Sequence, residues 1–398
     1  MIVWAVSLSL FGGRWISYVG IPSLNLYLLD VLYFFGVTWL AISYTKKNQK
    51  SAHRSGLVIF LALFILIQLI RSNDYSVIIR IKDLAPFIYL LTTPILYRNF
   101  SEFGFNSFIK LCRVATILGA IWTNLAMIKL LHPIELTQQI FGVPIFATRW
   151  DHSGMSLCIG LVLWGNFDKF SIRANTPIRI FLALSILLQY SRASYVGLLL
   201  IVFFEFYKNS RKKRDSFAKI LLVIFAFTIM LAPVFSSFLP ENSAFKRLKL
   251  TNISETKDIF ANVNESGTGK ARLDAQRELL NWTIRENLLL FGSGPGREMI
   301  FESGAYRYLS GAVEVRSPHS WVYGSLCRYG ILGFLFWHLM VYSYLKKSSR
   351  RSFPDATILS IIASVYVIGL FGVIIESPFG IMPFCFFLAC SKFYKESK

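Results

Sequence analysis

RSPHSWVYGSLCRYGILGFLFWHLMVYSYL, residues 316–345, carries the chain from a charged segment into an apolar run long enough to cross a bilayer. His319 sits at the changeover, within Ser317-Pro318-His319-Ser320. Behind it, 239–319 is the one long stretch without an apolar run of membrane length, and beyond that stretch 217–238 is apolar again. A histidine therefore meets water where the chain re-enters apolar surroundings. In a polytopic membrane protein a single large extramembrane loop usually holds the chemistry or the gate.

Composition fits that setting. The 398 residues are 54% hydrophobic and 16% aromatic, with mean hydropathy +0.51, which points to an all-α integral membrane protein. In lipid each backbone amide is satisfied within its own segment, so helices are expected, and the apolar runs lack the alternation of barrel strands. Five cysteines, Cys112, Cys158, Cys327, Cys385 and Cys390, all lie in apolar segments, so neither a disulfide frame nor a Cys-based metal site is expected. The apolar N-terminus lacks a basic leader and a cleavage site and reads as a first span rather than a signal peptide.

The net charge of +20 suggests a nucleic-acid partner until its distribution is read. Loop 239–319 holds 11 Lys/Arg against 10 Asp/Glu, nearly neutral. The excess lies in short linkers such as Lys46/Lys47/Lys50/Arg54, Lys208/Arg211/Lys212/Lys213/Arg214 and Lys346/Lys347/Arg350/Arg351, and at the C-terminus. That is the signature of cytoplasmic loops, and no nucleic-acid partner is expected.

Twelve candidate spans follow: 2–19, 24–44, 56–71, 84–97, 108–131, 153–167, 178–190, 193–207, 217–238, 320–345, 356–376 and 379–394. Basic linkers on one side and the remaining junctions on the other are satisfied together when both termini are cytoplasmic and the large loop, between spans 9 and 10, is periplasmic. The expected organisation is a nine-helix region (1–238), the loop (239–319) and a three-helix region (320–398), forming one polytopic unit.

The thirty residues 178–207 are too long for one ordinary span and have basic flanks, so they read as two crossings turning at Tyr190-Ser191-Arg192-Ala193-Ser194. Legs of 13 and 15 residues reach only about 20–22 Å, which would leave Arg192 below the outer rim of the hydrocarbon. An arginine at that depth is a functional candidate; the alternative is one snorkelling to headgroups. Within the loop, 269–287 reads as an amphipathic helix with Leu273, Leu280 and Ile284 on one face, Leu279 and Trp282 beside it, and Arg272 in its first turn. Asp274 and Glu278 allow the plainer reading of a solvated charged helix. Gly292-Ser-Gly-Pro-Gly296 follows a helix rather than a strand, has no P-loop spacing, and reads as a turn. His319 is a candidate general base; otherwise it caps the helix starting near Ser320 or joins an interfacial belt with Trp321 and Tyr323. Glu376, near the outer end of the eleventh span, either assists acceptor binding or only sits at the interface.

His319-Ser320, nine residues, Gly330, two residues and Gly333 resemble the H-[N/S/Q]-x9-G-x-x-G signature of the bacterial O-antigen ligase and polymerase superfamily. The span count, the loop before the tenth span, the arginine in YSRASYVG and the helix-to-glycine pattern ARLDAQRELLNW…LLLFGSGPG resemble it too. The architectural resemblance covers nearly the whole chain, and the motifs cover roughly 190–335. Position by position, it implies that Arg192 and Arg272 bind a diphosphate and that His319 is the catalytic base. The polymerases' Arg-x10-Gly pattern is met by Arg149…Gly160 and Arg285…Gly296, which makes Arg149 and Arg285 supporting positions. Phe334 stands where ligases often have Thr or Val, so ligase and polymerase both stay open.

The implied reaction takes a glycan from an undecaprenyl-diphosphate carrier to an acceptor sugar, either on lipid A-core or on a lipid-linked repeat unit. It occurs at the periplasmic face of a bacterial cytoplasmic membrane and inverts the anomeric carbon. No cofactor is implied, and no Asp-x-Asp or Asp-Asp pair offers a metal site. The rival from another class is a lipid-linked oligosaccharide flippase, which predicts inverted repeats and charges deep in several spans. No repeat is visible, and the span centres look almost free of charge, Arg14 being the plainest exception.

Overall fold

The computed structural model describes residues 1–17, 19–21, 26–45, 55–99, 105–131, 139–140, 143–144, 150–166, 172–189, 191–210, 269–309, 316–347 and 356–396. Helices occupy eleven of the twelve expected segments: α1 (Ile2–Ser17), α2 (Leu28–Thr45), α3 (Ser55–Arg71), α5 (Ala85–Asn99), α6 (Phe105–Leu131), α7 (Trp150–Asn166), α8 (Ile172–Leu188), α9 (Arg192–Ser210), α13 (Trp321–Lys347), α14 (Ala356–Leu370) and α15 (Pro378–Glu396). The ninth segment, 217–238, and loop residues 241–268 lie outside the described residues. Shorter helices are α4 (Val77–Asp83), α11 (Met299–Glu302) and α12 (Tyr306–Leu309), and the loop helix is α10 (Gly269–Arg285). Two-residue antiparallel hairpins, β1–β2 (Gly20–Ile21 with Leu26–Tyr27) and β3–β4 (Gln139–Ile140 with Val143–Pro144), close two interhelix junctions. Among the described residues, two stretches, Ser107–Ala126 and Trp321–Leu345, suit a membrane crossing by length and composition, and shorter apolar helices accompany them.

The C-terminal helix is the centre of the bundle. Every residue from Phe379 to Ser391 in α15 is buried, as expected of a helix apolar on all sides. Phe386 packs on Phe108 of α6 with ring centroids 4.3 Å apart, and Phe384 on Trp337 of α13 at 5.6 Å. Elsewhere small residues let backbones touch: a Cβ on Gly119 would come within 2.9 Å of the Leu10 carbonyl, and one on Gly160 within 2.7 Å of Thr116.

Two features bear on the sequence expectation. First, α8 and α9 run 17 and 19 residues, roughly 25 and 28 Å, longer than the expected legs, while their apolar stretches are Asn175–Leu188 and Ala193–Glu205. Arg192 is also the first residue of α9, not the middle of a turn. Second, buried charges lie toward the ends of three of the expected spans. Arg179 and Glu205, both buried, form an ion pair between α8 and α9. Arg113 donates from Nε and Nη2 to the Leu163 carbonyl at 2.9 and 2.7 Å, with its guanidinium 5.2 Å from the Trp164 ring centroid. These charges are satisfied by each other or by backbone, the condition under which burial is tolerated.

Candidate functional site

His319 adopts φ +55°, one of two non-glycine residues with positive φ among the described residues. Few side chains take that conformation, and an outlier of this kind must be held by its surroundings. It lies two residues before α13, and Gly324 N donates to Ser320 O at 2.9 Å in the first turn. Ser320 is buried and His319 half-buried, so the imidazole marks the edge of the packed core.

Helix α10 lies beside it. Gln276 Nε2 donates to the Pro318 carbonyl at 3.3 Å, fixing the residue before His319. One turn earlier on α10, Arg272 Nη1 donates to the Phe371 carbonyl at 3.3 Å, just past the end of α14. The buried face of α10 is Ala275, Leu279, Trp282 and Thr283, while Leu273 and Ile284 are exposed, so the expected face is corrected. The reason is the partner: Ala275, Leu279 and Trp282 form a small second core with Met299, Ile300, Ala305, Leu309 and Cys327 of α13. Asn287, at φ +56°, ends α10, and Leu288 N returns to Thr283 O at 2.9 Å.

The turn 371–377, between α14 and α15, gathers the remaining elements. Gly372 lies against the Asp151 carboxylate in the first turn of α7. Ser377 Oγ is 3.3 Å from His152 Nε2, and the His152 ring stacks on Phe379 at 5.5 Å. The Glu376 carboxylate presses on Gly324 of α13. Gly154 of α7 meets Ser194 in the first turn of α9, which Arg192 begins. The N-termini of α7, α10, α13 and α15 thus meet around one turn, and that of α9 joins them through α7. A helix N-terminus carries the positive end of the helix dipole, which attracts an anion, and the carboxylates of Asp151 and Glu376 lie at this turn.

The glycine-rich turn and the histidine motif are joined directly. Helix α13 breaks at Gly330 (φ +71°, ψ −179°), a region open essentially to glycine alone. The break exposes backbone groups, and 289–294 fills them. Ser293 N and Gly294 N donate to Cys327 O and Arg328 O at 2.8 and 2.9 Å, and Ile331 N and Leu332 N donate to Leu289 O and Leu290 O at 2.9 and 3.2 Å. A Cβ on Gly330 would collide with the Leu290 carbonyl. Gly330→Ala is therefore expected to cost about 3 kcal/mol or more, read as a lower Tm in detergent and less folded protein. An unchanged Tm would mean that the break is not strained.

Asp83, Arg316 and Arg328 were not singled out in the sequence, and they hold this region. Asp83 Oδ2 accepts from Gly296 N at 2.8 Å and from Arg316 Nη2 at 2.9 Å, with Arg328 Nε at 3.5 Å. Arg328 Nη2 donates to the Arg316 carbonyl at 2.9 Å, and the Tyr329 hydroxyl donates to the Asp83 carbonyl. One signal was present: Arg328 sits inside an apolar run, where an arginine needs a partner.

Of the residues expected from the sequence, His319 and Arg272 are joined through Gln276 and Pro318. Arg192 stands at the start of α9, which reaches the same end of the bundle through Ser194 and Gly154. Arg285 is the last residue of α10, about 20 Å along the helix from Arg272, where its 65%-exposed side chain pairs with Glu278 at 3.4 Å. Arg149 lies outside the described residues, directly before α7.

Residues 178–338 match the O-antigen ligase family. That span contains Arg192, Arg272, Arg285 and His319 and ends inside α13. Comparison with curated proteins finds no match.

Proposed function

We propose, from the match of residues 178–338 to the O-antigen ligase family, that the chain is a member of the O-antigen ligase/polymerase superfamily and moves a glycan from a lipid-diphosphate carrier onto an acceptor sugar hydroxyl. The acceptor oxygen bonds to the anomeric carbon while that carbon's bond to the diphosphate oxygen breaks. The electron pair leaves with the diphosphate, which stays on the carrier lipid, and the acceptor's proton passes to His319. Attack from the side opposite the leaving group inverts the carbon. Negative charge builds on the diphosphate as it leaves, and arginines suit it because they are always charged and can grip two oxygens at once. Arg272 and Arg192 take that role, with Arg149, next to the start of α7, in support. Arg285 is the weaker supporting candidate, being turned toward Glu278.

The observation that carries this reading is the meeting of four helix N-termini at the turn 371–377, with that of α9 joined through α7, and with Arg272 and His319 linked through Gln276 and Pro318. It brings an anion-attracting locality and a base to one end of the bundle. Twelve spans, cytoplasmic termini and a periplasmic loop 239–319, flanked by membrane regions 1–238 and 320–398, set that end outward in a bacterial cytoplasmic membrane. The donor is undecaprenyl-diphosphate glycan. A ligase would pass finished polymer to lipid A-core, and a polymerase would pass the growing chain to the next lipid-linked repeat.

Cells lacking the gene separate these. Long polymer stranded on the carrier with bare core means ligase; single repeats on the core without a ladder mean polymerase. Glycan made and attached normally, in a strain with no redundant enzyme, would overturn the reading. Catalysis is metal-independent on this account, so transfer by the purified enzyme should persist in a chelator. Activity abolished by EDTA and restored only by Mg²⁺ or Mn²⁺ would count against it.

A further inference from the structure

We propose that Leu289, Leu290 and Phe291 form a wedge that enters the outer leaflet and packs against lipid acyl chains; this rests on reading α3 and α13 as spans. All three side chains are well exposed, at 36%, 49% and 54%. Consecutive large apolar side chains on an exposed loop mark a contact with something other than water.

The backbone beneath them is not free. Leu289 O and Leu290 O accept from Ile331 N and Leu332 N. Phe291 O and Gly292 O accept from Arg71 Nη1 and Nη2, both at 2.6 Å, and the guanidinium lies 5.7 Å from the Phe291 ring centroid. The three carbonyls therefore have donors already, which is what non-helical backbone needs before it can leave water.

Location names the partner. The wedge sits at the top of the seam between α3 and α13, whose inner faces meet through Phe64 and Phe336 at 5.3 Å. On α3 the exposed apolar positions are Leu63, Leu66, Ile67 and Ile70; on α13 they are Leu332, Leu335, Leu339 and Tyr342. Both rows follow helical spacing, so in a membrane both face lipid, and the wedge continues them. The short helix α4, beside the same turn, adds exposed Val77, Ile78 and Ile81. A wedge held in the leaflet would fix the height of the glycine-rich turn, and through it α13 and His319, against the layer where a lipid-borne diphosphate lies.

The test is a spin label at Leu290→Cys on the full chain reconstituted in bilayers, reading collision with oxygen, which concentrates in lipid, against a water-soluble nickel chelate. The native cysteines are buried and should not label. Leu339→Cys serves as the lipid reference and Asn281→Cys, exposed on α10, as the aqueous one. A ratio at Leu290→Cys close to that of Leu339→Cys, and well above that of Asn281→Cys, is the expected result. A ratio like Asn281→Cys, or shielding from both probes by covering protein, overturns the wedge. If Leu339→Cys is itself aqueous, the membrane reading beneath the proposal fails instead. Phe291→Cys gives the same reading should Leu290→Cys not fold.

Discussion

His319→Ala is expected to abolish glycan transfer while leaving the protein folded and at normal level. Removing a general base typically costs about 10²–10⁴-fold, enough to erase a glycan ladder. The side chain is half-buried at the edge of the core, so little packing is lost with it. The left-handed conformation at φ +55° costs an L-residue roughly 1–2 kcal/mol, and alanine tolerates it less well than histidine, so a small loss of stability could be mistaken for the chemistry. His319→Asn separates the two, because asparagine tolerates the left-handed conformation but cannot take the proton. Both variants should lose transfer, and His319→Asn should keep the parent Tm. Should His319→Asn retain transfer within tenfold of the parent, the base is some other group.

The helices were legible because their signal is local. Apolar runs and basic linkers are written residue by residue, and the pattern from Gly269 onward was enough to place α10 (Gly269–Arg285). Which face of α10 would be buried was not legible. Leu273 and Ile284 are larger and more apolar than Ala275, yet Ala275 is buried and they are exposed, because the face is chosen by its partners at 299–309 and Cys327. The histidine and the two glycines after it were visible as a spacing; what Gly330 does was not, since its φ is set by a strand-like pairing with 289–294. The Asp83–Arg316 contact spans 233 residues, and no window of sequence shows such a pair. His152 and Ser377 meet across a similar separation. Local pattern thus gave His319 and Arg272 as candidates, and only the fold brought the turn 371–377 to them.

The second large effect is expected at the arginines. Arg272→Ala and Arg192→Ala should each lower transfer about 10²–10³-fold, the usual loss when one donor to a developing negative charge is removed. The informative variants are Arg272→Lys and Arg192→Lys. Lysine keeps the charge but is a single point donor without the planar fork, so little recovery is expected if the arginine grips a diphosphate with two bonds, and nearly full recovery if it only supplies a field. Arg272 has a further task, since its Nη1 meets the Phe371 carbonyl and so helps seat α10 on the turn 371–377. That contact is exposed and 3.3 Å long, and it bridges a charged donor and a neutral acceptor, worth about 1.5–3 kcal/mol when well formed. A seating role would therefore appear as a lower Tm, whereas a diphosphate role would appear in kcat at saturating donor with Tm unchanged. Arg192 opens α9, where the helix dipole and the guanidinium would act on the same anion. Its loss should fall on kcat and on donor KM together, because the carrier's diphosphate is charged before the reaction as well as after it. If both lysine variants transfer at the parental rate and both alanine variants only lower Tm, the arginines are structural and the leaving group is stabilised elsewhere.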